Sequence, residues 1–252
     1  MDKISVVIIT LNEEKNIRAA LDSAKWADEI VVVDSFSADG TLNICGEYTD
    51  RIFKEAWRGF SGQKSLAVSK ATNDWVFVLD SDERITPELA DEMRGLMAAG
   101  PDQNGYRVAR LNHFMGRRIL HGGWYPDYSV RLFDRRKGSF GERAVHEAVE
   151  VEGAAGTLRN HMLHFTYDSI SDYLLRMDRY STLAASEMNK AGRSAGPADM
   201  LIRPLFTFLK MFVLKQGIRD GMYGLIIALL YSAYTFSKYA KLWEMSQSRA
   251  EV

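Results

Sequence analysis

Two acids one residue apart, Asp80 and Asp82, with Ser81 between them and Glu83 after them, end the apolar run 75–79 of this 252-residue chain. Carboxylates at that spacing can share a hard divalent cation, Mg2+ or Mn2+, and a cation so held can take the oxygens of a diphosphate. The same letters suit a second reading, because Asp82 or Thr86 followed by Pro87 and Glu88 makes a good helix start. Asp34 ends an earlier apolar run, 29–33, and Thr10 ends the first one, Ile4–Thr10.

The elements that carry these residues repeat. Ile4–Thr10, 29–33 and 75–79 read as strands covered on both faces. The first is followed by a polar turn and by Ile17, Ala20, Leu21 and Ala24 at helical spacing, the second by a turn rich in helix cappers and a helix over 42–48. A short strand at Ile52-Phe53, a loop at 59–62 and a helix over 63–71, with Lys64 near its start, lead into the third. Such alternation predicts an α/β fold with a doubly wound parallel sheet. Thr10, Asp34 and Asp80 then share the carboxyl edge of that sheet, where open α/β folds bind ligands. A dinucleotide fold would place Gly-x-Gly-x-x-Gly after the first strand; here the residues are Thr10-Leu11-Asn12-Glu13-Glu14. With no glycine to admit a pyrophosphate, a nucleoside would be gripped by side chains and its diphosphate by a metal.

Charged residues make up 26% of the chain and the net charge is -1, so no nucleic acid partner is expected and any basic surface must be local. A single cysteine, Cys45, excludes an internal disulfide and a multi-cysteine zinc site, fits a reducing compartment, and reads as a buried small hydrophobe. The amino-terminal apolar run is too short for a signal peptide.

Three motifs in order, residues 6–14, 33–41 and 79–83, resemble the nucleotide-sugar half of inverting family 2 glycosyltransferases. The resemblance implies a GT-A type fold, a Rossmann-like, mostly parallel sheet flanked by helices, here with a helical C-terminal extension. It implies that Asp34 contacts uracil or ribose, that Thr10, Asn12 and Glu13 line the nucleoside pocket, and that Asp80-Ser81-Asp82 is the Asp-x-Asp motif. In that motif the first acid faces the ribose and the second binds the metal on the diphosphate. Lys64 lies near the uracil or phosphates by the same resemblance; the alternative is a solvated helix residue.

Beyond Gly105 the pattern changes to half-exposed strands at 106–110 and 129–133. Between them residues 112–128 are dense in aromatics, glycines and hydrogen-bonding side chains, the mixture a sugar surface needs, although an aromatic loop packed over the sheet would use Trp124 and Tyr125 as well. Inverting transfer needs one carboxylate to take the acceptor hydroxyl proton, and Glu147 and then Asp127 are the candidates. Arg131-Leu132-Phe133, Gly138-Ser139-Phe140 and Val145-His146-Glu147 resemble the family's acceptor-side stretch, where the acidic pair that ends with the base is Glu-Asp rather than His-Glu. His164, in a strand-like Leu163-His164-Phe165, is a candidate third ligand of the metal.

From Ser169 onward the spacing is helical, with a polar break at 192–197. The expected domains are 1–190, with a donor half over 1–100 and an acceptor half over 101–168, and a helical tail over 197–252. Residues 221–237 carry no charge, fall just short of a comfortable bilayer span, and are flanked by Arg219, Lys238 and Lys241. Helices lying in a membrane interface, basic residues toward anionic lipid, fit this pattern; a buried hairpin or a homo-oligomer interface fits it too. The tail, with residues 124–127, 131–133 and 145–147, resembles bacterial lipopolysaccharide-core β-1,4-glucosyltransferases. That subgroup implies a UDP-glucose donor, a lipid-linked saccharide acceptor with an inner-core heptose, and a peripheral position on the cytoplasmic face of the bacterial inner membrane. A nucleotidyltransferase, and a non-catalytic membrane-associated sugar-binding scaffold, are the competing readings.

Overall fold

The computed structural model describes residues 2–141 and 148–250. Strand and helix alternate through β1 (Ile4–Thr10), α1 (Ile17–Ala24), β2 (Glu29–Asp34), α2 (Thr41–Gly46), β3 (Ile52–Lys54), α3 (Gly59–Lys70) and β4 (Trp75–Asp80). Then come β5 (Glu83–Ile85), α4 (Pro87–Ala99), β6 (Gly105–Phe114), β7 (Arg117–Arg118), β8 (Asp127–Asp134), β9 (Gly138–Phe140), β10 (Val149–Val151) and β11 (Gly156–Tyr167). Three long helices close the chain, α5 (Ile170–Lys190), α6 (Pro197–Leu209) and α7 (Met222–Ala250), with a π-helical turn at Lys210–Leu214 and a 3-10 turn at Gly217–Asp220.

The main sheet runs β3-β2-β1-β4-β8-β6-β11-β5, with β7 on β6. Its first four strands are parallel, as the strand-helix repeat requires. Beyond β4 the direction changes: β8 is antiparallel to both β4 and β6, and β5 is antiparallel to β11. The register sets Thr10 opposite Asp34 and Ile9 opposite Asp80, so the expected convergence at one sheet edge is present. Alternation along β1 sends Ile4, Val6 and Ile8 to the face covered by α1 and α4, and Val7 and Ile9 to the face that holds Ala67 of α3. Apolar cover on both faces is what makes these strands continuous hydrophobic runs.

Two local expectations change. The helix expected over 63–71 starts at Gly59, because its buried face carries polar Gln63 and Lys64 beside Ala67 and so gives no hydrophobic stripe to read. The helix after β5 is capped by Thr86, whose hydroxyl accepts from the Leu89 N–H, so Asp82 is not a cap.

The chain forms two compact units: Met1–Leu111 with Asp127–His164, and Asn112–Pro126 with Phe165–Val252. The second unit is larger than a tail starting at 197, since α5 and the 112–126 segment belong to it. Its core gathers Phe114, Ile119, Trp124, Tyr173, Met211, Ile227 and Ala228. Trp124 is its centre, with the rings of Phe114, Tyr231 and Tyr167 at 6.0, 6.1 and 6.4 Å. At 6% exposure this tryptophan is core, not a platform for sugar stacking, which corrects the functional reading of that residue. Among the described residues no helix is long and apolar enough to cross a membrane.

Candidate active site

The carboxyl ends of the parallel strands carry a line of alternating charges. Asp80, at the end of β4, receives Lys64 Nζ from α3 at 2.8 Å and Arg131 from β8 at 3.0 Å. Arg131 also donates to Glu83, whose other oxygen accepts the Asp80 N–H at 3.0 Å. Glu83 in turn lies 3.8 Å from Arg110 of β6, and Arg110 holds Asp127 at 2.6 Å. Lys64, Arg131 and Glu83 are buried, so each is tolerable there only because its neighbours carry the opposite sign. Burial alone would raise the Asp80 carboxyl; Lys64 and Arg131 outweigh it and hold Asp80 well below the usual carboxylate range. Glu83 goes the other way: burial, with the Asp80 charge beside it, pushes its carboxyl up despite Arg131.

Lys64 is therefore not a solvated helix residue; its ammonium is part of the site. Glu83, Arg131 and Arg110 are site residues that the reading of individual motifs did not assign. A signal for two of them is in the sequence. Arg131 opens the buried end of β8 next to apolar Leu132 and Phe133, and Glu83 is two residues from buried Ile85, on the same face of β5. Charges so placed must be paired.

Asp82 sits apart from this line. Its Oδ2 lies 3.6 Å from His164 Nε2, so the structure joins two of the three proposed metal ligands. Burial works to lower the His164 pKa, but the bond to Asp82 and the charge of Glu83 raise it on balance. The third expected ligand, Asp80, has both oxygens facing cations. Among the described residues no three carboxylates, imidazoles or thiolates gather into a metal site. Asp82 and His164 nonetheless suit a Mg2+ or Mn2+ ion that draws its other oxygens from a diphosphate, since these ions bind through few protein groups plus substrate phosphates. Between Asp80 and Asp82, Ser81 is buried, and its carbonyl accepts from Arg84, which also donates to the Asn16 carbonyl and so pins the turn to the start of α1.

The loops after β1 and β2 are laced together. Asn12 donates its N–H to Ser37 Oγ and accepts the Ala38 N–H, each at 2.8 Å, while the Glu13 N–H donates to Thr41. Asp34 is fully buried and accepts from the Ser37 N–H at 2.8 Å and from its hydroxyl. Thr10 Oγ1 and Gln63 Oε1 are buried without a hydrogen-bond partner among the described residues. Gln63, which the motifs did not flag, donates to Ser35, and the Ser35 N–H donates to the Thr10 carbonyl. A fully buried glutamine was hidden for the same reason as Lys64: it lies on the polar inner face of α3. Of the two candidate bases, Asp127 is at the start of β8 in the grip of Arg110, and Glu147 lies outside the described residues.

A family model described as glycosyl transferase family 2 matches residues 5–158, which include every strand end just described. The chain belongs to this family. As a glycosyltransferase it is 32% identical over 254 residues to the lipopolysaccharide core biosynthesis glycosyltransferase LpsC of Rhizobium meliloti, covering 98% of this chain and 94% of that protein. It is 29% identical to an uncharacterized glycosyltransferase of Rickettsia typhi, covering 98% of this chain and 88% of that one. Among solved structures, the mannosyltransferase PcManGT of Pyrobaculum calidifontis, in complex with GDP-Man and Mn2+, is similar with a TM-score of 0.57 at 17% identity, over 96% of this chain and 88% of that chain. S. aureus TarS in complex with UDP-GlcNAc has a TM-score of 0.50 at 16% identity, over 98% and 92%. The fold of this glycosyltransferase is thus GT-A, with a helical C-terminal region.

Proposed function

We propose that this glycosyltransferase moves glucose from UDP-glucose, with inversion, to a heptose of lipopolysaccharide inner core or a related lipid-linked acceptor at the cytoplasmic face of the bacterial inner membrane. The observation that carries the reading is the end-to-end likeness to LpsC, a protein named for lipopolysaccharide core biosynthesis. A nucleotide-sugar donor is supported by the GDP-Man and UDP-GlcNAc complexes of the two structural relatives.

In this reading the nucleoside lies over the ends of β1 and β2, where Thr10 Oγ1 and Gln63 Oε1 each lack a partner among the described residues that a polar base or ribose can supply. Asn12, Glu13 and Asp34 shape that pocket through the laced loops. Asp82 and His164 would hold Mg2+ or Mn2+, and the ion would supply charge neutralisation for the leaving diphosphate. Lys64 and Arg131, fixed by Asp80, add positive potential beside it. One carboxylate, Glu147 or Asp127, takes the acceptor hydroxyl proton as that oxygen attacks the anomeric carbon. Asp127 is held by Arg110 through one carboxylate oxygen, Oδ2, at 2.6 Å.

The test is transfer to purified lipid-linked core acceptor from UDP-glucose, UDP-GlcNAc and GDP-mannose in turn, with Mn2+ and then with chelator. Transfer from UDP-glucose that stops on chelation and releases UDP is expected. Release of glucose 1-phosphate in place of UDP would make the protein a nucleotidyltransferase, and turnover indifferent to chelator would remove the metal. Comparing Glu147→Gln with Asp127→Asn assigns the base: the larger loss of kcat at unchanged UDP binding marks it.

A further inference from the structure

Within the second unit, α6 and α7 flank an open groove of about 500 Å3 whose lining includes Asp199, Arg203, Phe206, Thr235, Lys238 and Tyr239. Its charges are unbalanced. Arg203 is paired with Asp199 at 2.6 Å, but among the described residues no carboxylate pairs with Lys238. Both cations stand over the Tyr239 ring, each 4.9 Å from its centroid, and Lys238 is also 5.6 Å from the Tyr234 ring. Stacking on tyrosine holds an ammonium in place but leaves its N–H donors unspent. Burial, and then the charge of Arg203, lower the Lys238 pKa, the signature of a cation short of an anion.

Beside the groove runs an apolar surface. Leu201, Ile202, Leu205, Phe206 and Leu209, all on α6, are 45% to 70% exposed, and Val213, Leu214, Ile218 and Met222 extend the series. Helical spacing puts the α6 residues on one stripe. Residues 200–219 contain Arg203, Lys210, Lys215 and Arg219 and no acid. A second copy of the chain would meet this surface with the same positive charges, because a two-fold contact brings a patch against itself. An anionic bilayer answers both features at once, phosphates for the cations and acyl chains for the stripe.

We propose that the Arg203–Lys238–Tyr239 groove is a subsite for the phosphate of an anionic lipid headgroup, and that the lipid's chains lie along the exposed stripe of α6. The proposal rests on the membrane-face reading above and names the surface that meets the membrane.

Vesicle flotation tests it without any sugar. The full chain is expected to bind phosphatidylcholine vesicles containing phosphatidylglycerol at least about tenfold more tightly than phosphatidylcholine alone, as several basic residues at about 1 kcal/mol each would give. Lys238→Gln should weaken that binding roughly fivefold, with Lys238→Arg restoring it. Leu201→Ser with Leu205→Ser, both outside the groove lining, should abolish flotation while leaving the groove's affinity for inorganic phosphate unchanged. Equal binding to the two vesicles, an indifferent Lys238→Gln, or phosphate binding without flotation by the unaltered chain each overturns the proposal. So does a concentration-dependent dimer that the double serine variant dissolves. Transfer from UDP-glucose to detergent-dispersed acceptor is measured in parallel: transfer without flotation removes only the lipid site, and flotation without transfer removes only the catalytic reading.

Discussion

At the scale of single residues the site is held by Arg131, which at 4% exposure bridges Asp80 and Glu83. Removing it strands two carboxylates in the interior, so Arg131→Met should cost about 3–5 kcal/mol in urea unfolding at neutral pH. A loss under about 1 kcal/mol would show that the bridge contributes nothing. The two acids should respond differently. Asp80 is held below its ordinary range and Glu83 above it, so the ionised form of Asp80 is favoured by the fold and that of Glu83 is not. Asp80→Asn should therefore destabilise at least about twice as much as Glu83→Gln. The sign with pH follows: the Asp80 contribution is complete above the unfolded carboxylate value of about 3.9 and fades as pH falls below it, whereas ionising Glu83 costs stability as pH rises. Unfolding free energies of both variants across pH 3 to 7 check this, roughly the range in which carboxylates titrate. Cys45 is simpler. Burial pushes its thiol up to about 12, so a thiol reagent should label it only as fast as the protein opens, and prompt labelling of the native protein would contradict its place in the core. Asp34 and Asp80 were legible because they end apolar runs, and Lys64 was named through the resemblance. Arg131 was not, since it lies 51 positions from Asp80 and meets it only because β8 pairs with β4.

At the scale of elements, the turn between β4 and α4 separates two roles that look alike in sequence. Thr86 caps α4 and Asp82 stands beside His164. Thr86→Ala should cost about 1 kcal/mol of stability with little change in metal-dependent UDP binding. Asp82→Ala should do the reverse, weakening metal-dependent UDP binding at least about tenfold with a stability change within about 0.5 kcal/mol. Titrating UDP with Mn2+ against each variant, and unfolding each in urea, distinguishes the pair; a large stability loss in Asp82→Ala would return it to a structural role. The parallel strands could be read because both of their faces are buried, which leaves continuous apolar runs. β11 could not: it is twelve residues long, yet its alternation is blurred by Asn160, His161 and His164, and only the stretch around Leu163 looked strand-like. The antiparallel insertion of β8 between β4 and β6 is a long-range pairing, and nothing local in 127–134 specifies its neighbours.

At the scale of the whole molecule, composition set a limit that the structure makes useful. The net charge is -1, yet residues 200–219 carry four bases and no acid, so the remainder of the chain is net negative. The sequence showed that any basic surface had to be local; where it lies depends on Lys238 of α7 coming beside Arg203 of α6, 35 positions earlier in the chain, which only the folded helices reveal. A polyanion that relies on charge alone meets repulsion over most of such a molecule. A bilayer also offers the exposed leucines and Phe206 a place out of water. Raising salt from about 0.15 to about 0.5 M, which shortens the screening length to roughly half, should therefore weaken flotation with phosphatidylglycerol vesicles without abolishing it. Excess double-stranded DNA should not displace the protein from them, because DNA presents phosphates in the absence of an apolar interior. Complete release by salt, or competition by DNA at matched phosphate concentration, would mean that charge alone drives the contact and that the α6 stripe is covered by something other than lipid.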